Sequence, residues 1–301
     1  MKATIVCNPN AGRGAAGGSL SHVVSSLERA GWSIDVALTV APRDATALAF
    51  EAVKQGVDAV LAAGGDGTIN EVIQALAGSE TALGYLPFGT VNIWARELGM
   101  PLSPVHAAES LVSGRIEQID LGRANDRYFL LMAGFGFDGE VVRRVRRLER
   151  FKGRLGILPY VAAGMFSAPL FRGSDIELRY DGIIRRVEAL MLVLGNTRLY
   201  GGRFHLTPKA VANDGWLDLC IIKGRGPLDL ARQSLPVLIS GSVSYSDVEM
   251  LRVRELSVRA DEPVPYQLDG ELCGHTPVQL RVVPKALRVI VPEAFSSDLI
   301  A

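Results

Sequence analysis

The chain is poor in cysteine. Cys7, Cys220 and Cys273 are the only three in 301 residues. The number is odd and no CxxC pair occurs, which excludes a disulfide framework and a zinc knuckle. All three stand in apolar runs and read as reduced, packed thiols of a cytosolic protein. Net charge is lacking as well, with 32 Lys+Arg against 32 Asp+Glu. No global field draws the chain to nucleic acid or to an anionic membrane, so electrostatic targeting has to be local. Long apolar runs are missing too. Stretches such as Ala189–Leu194 fall far below the ~18–20 residues of a membrane span. The start, Met1–Val6, runs straight into Asn8-Pro9-Asn10 and is too short for the apolar region of a secretory signal. The expectation is a cytoplasmic protein whose contact with any membrane is peripheral. The four histidines (His22, His106, His205 and His275) show no metal spacing, and no Ser-His-Asp, HExxH or Cys-His arrangement stands out.

What is present is a large core: 48% of the residues are hydrophobic and 21% charged. That much chain points to two domains. The first third alternates strand and helix. Lys2–Cys7, Trp32–Val40, Asp58–Ala63 and Ala82–Leu86 read as strands. Leu20, Val23, Val24 and Leu27 recur at helical spacing before Gly31, and Ala45–Lys54, Ile69–Leu76 and Val91–Leu98 follow as helices. Four strand–helix units in series imply a parallel sheet covered on both faces. After Ile119-Asp120-Leu121 the pattern changes to short β-like runs: Tyr128–Ala133, Ile176–Tyr180, Val187–Leu194, Leu217–Ile222, Leu251–Val258, Val278–Val283 and Leu287–Val291. Asp181-Gly182, Asp214-Gly215 and Asp269-Gly270 mark hairpin-type turns among them. This half reads as a mostly antiparallel β domain with helical insertions near Val141–Phe166 and Leu228–Ile239.

Parallel sheets bind ligands at the carboxyl ends of their strands. Three unusual loops, Asn8–Gly14, Gly64–Thr68 and Pro87–Thr90, fall at such ends. The central one, Gly64-Gly65-Asp66-Gly67-Thr68-Ile69-Asn70-Glu71-Val72, leaves an apolar strand and opens a helix. Its glycines let backbone approach phosphate, and the helix N-terminus offers unpaired N–H groups and a positive dipole end. Thr68 can cap the helix or bond a phosphate oxygen. Asp66 would repel phosphate unless a Mg²⁺ stands between them. The plain alternative is a tight turn capped by an Asp. No Gly-Lys-Ser/Thr follows and no GxGxxG opens the first helix, so this is neither a P-loop nor a dinucleotide fingerprint.

Gly64–Val72 closely resembles the signature of the diacylglycerol kinase, sphingosine kinase and ceramide kinase family, and more distantly that of NAD and polyphosphate kinases. The resemblance runs nearly the full chain, in the family's order. It takes in Asn8–Gly14, Pro87-Phe88-Gly89-Thr90-Val91-Asn92, Gly134-Phe135-Gly136-Phe137-Asp138, Gly201–Phe204, Asn213-Asp214-Gly215 and Asp269-Gly270-Glu271. It implies an α/β N-terminal nucleotide-binding domain, with a parallel sheet of NAD-kinase type, over residues 1–121. It further implies a β-rich, sandwich-like acceptor domain over 122–283, with 284–301 returning to the first domain and the active site in a cleft between the two. Asn8, Thr39, Gly65–Asn70 and Thr90 would line ATP, and Gly64, Glu71, Gly89 and Asn92 belong to the same candidate site. Asp66 and Asp120 would hold the nucleotide's Mg²⁺ through water. Asp214, with the carbonyls of Val211 and Trp216, matches a second, structural metal site of bacterial members. One departure stands out: the family's Asn-Asp-Phe is Asn92-Ile93-Trp94 here, so one carboxylate of the metal network is missing.

Asp269 and Glu271 match the position of the family's catalytic base. A lipid hydroxyl is a poor nucleophile, and a placed carboxylate can take its proton. The residues do not decide which of the two is the base, and the plain reading of Asp-Gly-Glu is a hairpin turn with a solvated Glu. The basic run Arg143, Arg144, Arg146, Arg147, Arg150, Lys152 and Arg154, offset nearby only by Glu140 and Glu149, suits docking on anionic headgroups, at about 1 kcal/mol per cation. Its plain alternative is a solvated helix face. Nucleic acid is not expected as a partner, a lipid is, and the family often forms homodimers. The expected activity is phosphoryl transfer from ATP to diacylglycerol, a ceramide or sphingoid base, or a related lipid. A kinase of a soluble acceptor such as NAD, and a non-catalytic nucleotide- or lipid-binding regulator, are the alternatives.

Overall fold

The computed structural model describes residues 1–12, 16–147, 164, 166–168, 171–240, 248–295 and 298–300. The chain forms two compact units, one of residues Met1–Leu121 and Pro284–Ala301, the other of Gly122–Val283.

In the first unit, β1 (Lys2–Cys7), β2 (Ser33–Leu38), β3 (Ala59–Gly64) and β4 (Ala82–Pro87) lie in the order β2-β1-β3-β4, all parallel. The end of β17 (Val278–Val291) adds a fifth parallel strand, Val289 beside Leu83. Every residue of β3 and β4 is buried. Strands without polar alternation are those covered on both faces. The covering helices are α1 (Ala16–Arg29), α2 (Asp44–Lys54), α3 (Asp66–Leu76) and α4 (Ile93–Glu97). A further helix, α5 (Pro104–Val112), was not expected from the sequence. Pro104 stands at its first turn after Ser103, and it buries Ala107, Ala108 and Leu111 while packing on α1 and β4. Proline fits there because the first N–H groups of a helix have no internal partner.

The chain passes between the units inside β5 (Arg115–Ala124) and again inside β17. The second unit is antiparallel throughout. Its strands run β16 (Glu271–His275), β15 (Pro265–Leu268), β7 (Met132–Gly136), β9 (Ile183–Gly195), β8 (Ser174–Tyr180), β14 (Glu255–Ala260) and the start of β17. β10 (Leu199–Tyr200) and β11 (Phe204–His205) pair as a separate two-stranded ribbon, and β12 (Leu217–Lys223) lies between β9 and β13 (Val248–Val253). The core of this unit is built from alternate residues such as Phe135, Leu178, Leu192, Leu219, Val258 and Leu268. Among the described residues, α6 (Phe137–Arg147) and α7 (Pro227–Ser240) are helices that interrupt the strands.

Three expected runs differ. Tyr128–Ala133 is not one strand but β6 (Arg127–Phe129) and β7, because the N–H groups of Leu130 and Leu131 turn to the carboxylate of Asp269 instead of a ladder. Leu251–Val258 is likewise two strands broken at Arg254, one paired with β12 and the other with β8 and β17. The runs Val278–Val283 and Leu287–Val291 fuse into β17, which carries Lys285 at a φ of 51° where its N–H donates to Asp120 at 2.7 Å.

Candidate active site

The three loops of the first unit do converge. Asn8 N–H donates to the Ala63 carbonyl at 2.9 Å, and Phe88 and Gly89 N–H both donate to the Gly64 carbonyl, at 3.0 and 2.9 Å. A Cβ on Gly12 would stand 2.3 Å from the Phe88 carbonyl oxygen, and one on Gly89 would stand 2.5 Å from the Gly65 Cα. The backbones touch, so the glycines are required by close approach rather than by turn type alone. Gly65, Asp66 and Gly67 stay partly exposed at the tip of α3, whereas Thr68 and Asn70 are buried beneath it. The exposed tip of this eleven-residue helix is thus backbone, with a positive dipole end.

The polar side chains around the tip brace it. Asn8 Oδ1 accepts from Asn10 N–H at 3.0 Å. Thr39, at the end of β2, is buried and its N–H donates to Cys7 O at 2.9 Å, while Thr90 is exposed on the fourth-strand loop. Asn92, at a φ of 52°, donates from Nδ2 to the Gly89 carbonyl at 2.9 Å and accepts from the Tyr85 hydroxyl at 2.8 Å. Burial, and secondarily the charge of Asp66, pushes the Tyr85 hydroxyl well above its ordinary pKa, so it remains a neutral donor. Glu71 accepts from Arg43 and Ala45 N–H at 3.0 and 3.1 Å. It therefore ties α3 to the start of α2, a bracing place rather than the ligand-facing one expected.

Asp66 is tied to position 93 through the backbone. Its Oδ2 and Oδ1 accept from the N–H groups of Ile93 and Trp94, at 3.1 and 3.2 Å. The backbone at 93, not its side chain, fixes this carboxylate. Asp120 is fully buried and is held by Lys285 N–H. Among the described residues no group of three or more His, Cys, Asp or Glu could enclose a metal ion. Asp66 and Asp120 are the carboxylates that would hold a Mg²⁺ through its waters, an ion that takes one or two carboxylates plus phosphate oxygens. The second implied metal would involve Asp214, which lies at a turn. Asp214 Oδ1 accepts from Trp216 N–H at 3.0 Å and Oδ2 is paired with Arg252. The Asp214 carboxylate thus closes an Asx turn and pairs with a guanidinium.

In the second unit Asp269 and Gly270, at φ of 49° and 84°, form the two-residue connection between β15 and β16. Positive φ at both centres is what this hairpin turn demands. Asp269 Oδ1 accepts from Leu131 and Met132 N–H at 2.8 and 2.9 Å, and Oδ2 from Leu130 N–H at 2.8 Å. Three backbone donors fix the position of this carboxylate. Glu271 is different: its Oε2 meets Arg127 Nη2 at 2.5 Å with both side chains partly exposed. Arg127 was not foreseen, since nothing in its local sequence sets it apart. The neighbouring Cys273 thiol is free and pushed up by burial. Of the basic run only Arg143 and Arg144 lie on described side chains; both pair with Glu140, so local pairing offsets part of their charge. Arg150, Lys152 and Arg154 lie outside the described residues.

A phosphoryl-transfer enzyme needs a backbone cradle for phosphate and a base for the acceptor; the first unit carries a glycine-exposed helix tip and the second a partly exposed carboxylate, groups of those two kinds. Comparison with known proteins agrees with that class. The diacylglycerol kinase catalytic domain matches residues 2–124, and the YegS C-terminal NAD kinase beta sandwich-like domain matches 132–291. The chain is 32% identical to a diacylglycerol kinase of Bacillus subtilis, covering 99% of both chains. It is 33% identical to one of Mycobacterium tuberculosis, over 97% of this chain and 95% of that one. A solved structure from Bacillus anthracis str. Sterne superposes with a TM-score of 0.84 at 26% identity, covering 98% of both chains. The chain belongs to the diacylglycerol kinase-like lipid kinase family, whose members use ATP as phosphoryl donor. Among the described residues no helix is long and apolar enough to cross a membrane.

Proposed function

We propose that this chain transfers the γ-phosphoryl group of Mg-ATP to the primary hydroxyl of diacylglycerol. The acceptor follows the names of relatives matched over nearly their full length. The observation that carries the catalytic part is the division of labour in the Asp269-Gly270-Glu271 turn. Asp269 is held by three backbone N–H groups, which leaves Glu271 as the base. Arg127 occupies Glu271 Oε2, and Oε1 takes the proton of the acceptor hydroxyl as its oxygen joins the γ-phosphorus and the bond from that phosphorus to the bridging oxygen breaks, releasing ADP. The N–H groups at Gly65–Thr68 orient the phosphates, and Asp66 with Asp120 holds the cation's water shell; Mg²⁺, when bound, neutralises charge on the phosphate oxygens. The acceptor reaches the enzyme at a membrane surface, and the run Arg143–Arg154 is the proposed contact with anionic headgroups.

The test is ATP consumption with Mg²⁺ and a panel of lipids in mixed micelles, with NAD as a soluble acceptor alongside. Turnover with diacylglycerol, lost in Glu271→Gln, supports the reading. Turnover with another lipid alone replaces the acceptor. Phosphorylation of NAD, or nucleotide binding without turnover on any acceptor, sinks the reading.

A further inference from the structure

The turn that carries Glu271 has a second anchor besides Asp269. Gly270 N–H donates to Gln267 Oε1 at 2.6 Å. Gln267 Nε2 in turn donates to Asp138 Oδ2 at 2.7 Å, and the Tyr200 hydroxyl donates to Asp138 Oδ1. Asp138 is 3% exposed and Gln267 2%. Asp138 sits in the first turn of α6, 129 residues away in sequence from the glutamine it holds.

The backbone is shaped to admit this chain of bonds. A Cβ on Gly134 would lie 1.5 Å from Asp138 Oδ2 and 2.7 Å from Gln267 Nε2. A Cβ on Gly139 would lie 2.3 Å from the Pro265 carbonyl oxygen. Two glycines therefore let the start of α6 press against β15, the strand that leads into the turn. Burial raises the Asp138 carboxyl, while the bonds from Tyr200 and Gln267 lower it. A buried carboxylate opposed by desolvation calls for a reason to be there.

The reason lies in the glutamine. A side-chain amide has an acceptor end and a donor end, and either can face a given neighbour. An ionised carboxylate only accepts. Asp138 therefore forces Nε2 toward itself and Oε1 toward Gly270 N–H. An amide at position 138 would lift that constraint, because its own NH₂ could face Oε1 and leave Nε2 against the Gly270 N–H, donor to donor.

We infer that Asp138 is a positioning residue for phosphoryl transfer, fixing the orientation of Gln267 and, through the Gly270 amide, the placement of Glu271. This rests on the proposed lipid kinase activity. Displacing a reacting group by about 1 Å can cost about 10²-fold. Asp138→Asn is accordingly expected to lower kcat about 10- to 100-fold with the KM for ATP unchanged, since the nucleotide loops belong to the other unit.

The experiment compares full-length wild type, Asp138→Asn and the double variant Asp138→Asn/Gln267→Glu. Measured are kcat, both KM values, and hydrogen exchange at the Gly270 amide. In the double variant a carboxylate at 267 accepts both from the introduced amide and from Gly270 N–H, at unchanged net charge. Recovery of kcat to within a few-fold of wild type, with exchange at Gly270 slowed again, supports the inference. Wild-type kcat in Asp138→Asn overturns it, as does a double variant that is folded and equally slow. If wild type phosphorylates no lipid, the functional reading falls, while exchange at Gly270 still tests the bond chain: wild-type exchange in Asp138→Asn overturns the positioning role.

Discussion

The two units hold their candidate functional residues on opposite plans. In the first unit the proposed phosphate-facing surface is largely backbone, exposed by glycines, and side chains brace it over short distances in the chain. Asp66 reaches Ile93, 27 residues on, and Glu71 reaches Arg43, 28 residues back. In the second unit the proposed base is a side chain, Glu271, and backbone donors brace its turn from far away in sequence. Leu130, Leu131 and Met132 lie 137–139 residues from Asp269. The contrast suits the chemistry. Phosphate carries many equivalent oxygens and is well met by a row of N–H groups. A proton acceptor is one atom that must be in one place.

The sharpest way to break this comparison is to exchange the two carboxylates' fates. Glu271→Gln is expected to lower kcat by about 10²–10⁴-fold with thermal stability unchanged. Asp269→Asn is expected to act first on the fold. Hydrogen bonds to a charged group contribute about 1.5–3 kcal/mol each, and an amide at 269 turns a donor toward donors, so a loss of about 3 kcal/mol should appear in denaturant unfolding. If Asp269→Asn abolishes turnover without loss of stability while Glu271→Gln stays active, the base is Asp269 and the assignment is reversed.

Two glycines offer the same kind of contrast within the first unit. At Gly89 an added Cβ meets backbone at 2.5 Å, so Gly89→Ala should destabilise by about 1–3 kcal/mol through overpacking. At Gly65 the nearest atom is 3.5 Å away, an ordinary contact, so Gly65→Ala should fold normally. Its methyl group covers the exposed tip of α3 instead, and the KM for ATP should rise about tenfold or more, because phosphate needs that close backbone approach. Equal ATP affinity in Gly65→Ala and wild type would remove the tip of α3 from the nucleotide site.

These plans also decide what the sequence could reveal. Glycine loops at strand ends are local signals, and the parallel sheet with its loops was readable from Gly64–Val72, Asn8–Gly14 and Pro87–Asn92. The hairpin at Asp269-Gly270 was readable as a turn for the same reason. Its three donors were not, because Leu130–Met132 sit inside an apolar run that looks like continuous strand. Arg127 and Gln267 carry no local mark at all; their roles come from register, β15 pairing with β7 and β16. Asp138 stood within a motif of the resembled family, but only its burial and its two donors show what it holds.

Asp66 joins both plans, since it is a side chain whose bracing bonds come from backbone. Asp66→Asn keeps an acceptor for α4 but weakens the hold on a cation's water shell. Changes of this kind typically cost about 10–100-fold in metal affinity. The Mg²⁺ concentration for half-maximal turnover should therefore rise about tenfold, with ATP saturation restored at high Mg²⁺. An unchanged Mg²⁺ requirement would leave Asp66 as a helix brace alone.

The smallest effect is expected where a carboxylate is held by side chains instead of backbone. Glu249 on β13 is paired with Arg185 and with Lys223 Nζ, the latter at 2.8 Å. The hydrogen bond from Arg185, aided by Lys223, pulls its carboxyl down to about 2 from 4.5. A lowered folded-state pKa contributes stability that is present above the unfolded value and is lost as pH falls through the folded one. The window is therefore about pH 4.5 to 2. Because the pair is partly exposed, solvent screening should hold the contribution to about 1 kcal/mol or less. Glu249→Gln should lower stability by that amount at pH 7, and the gap to wild type should close as pH falls toward 2. A gap as large as that of Asp269→Asn would mean that side-chain pairing braces this unit as firmly as backbone donors do, and the contrast between the two plans would fail.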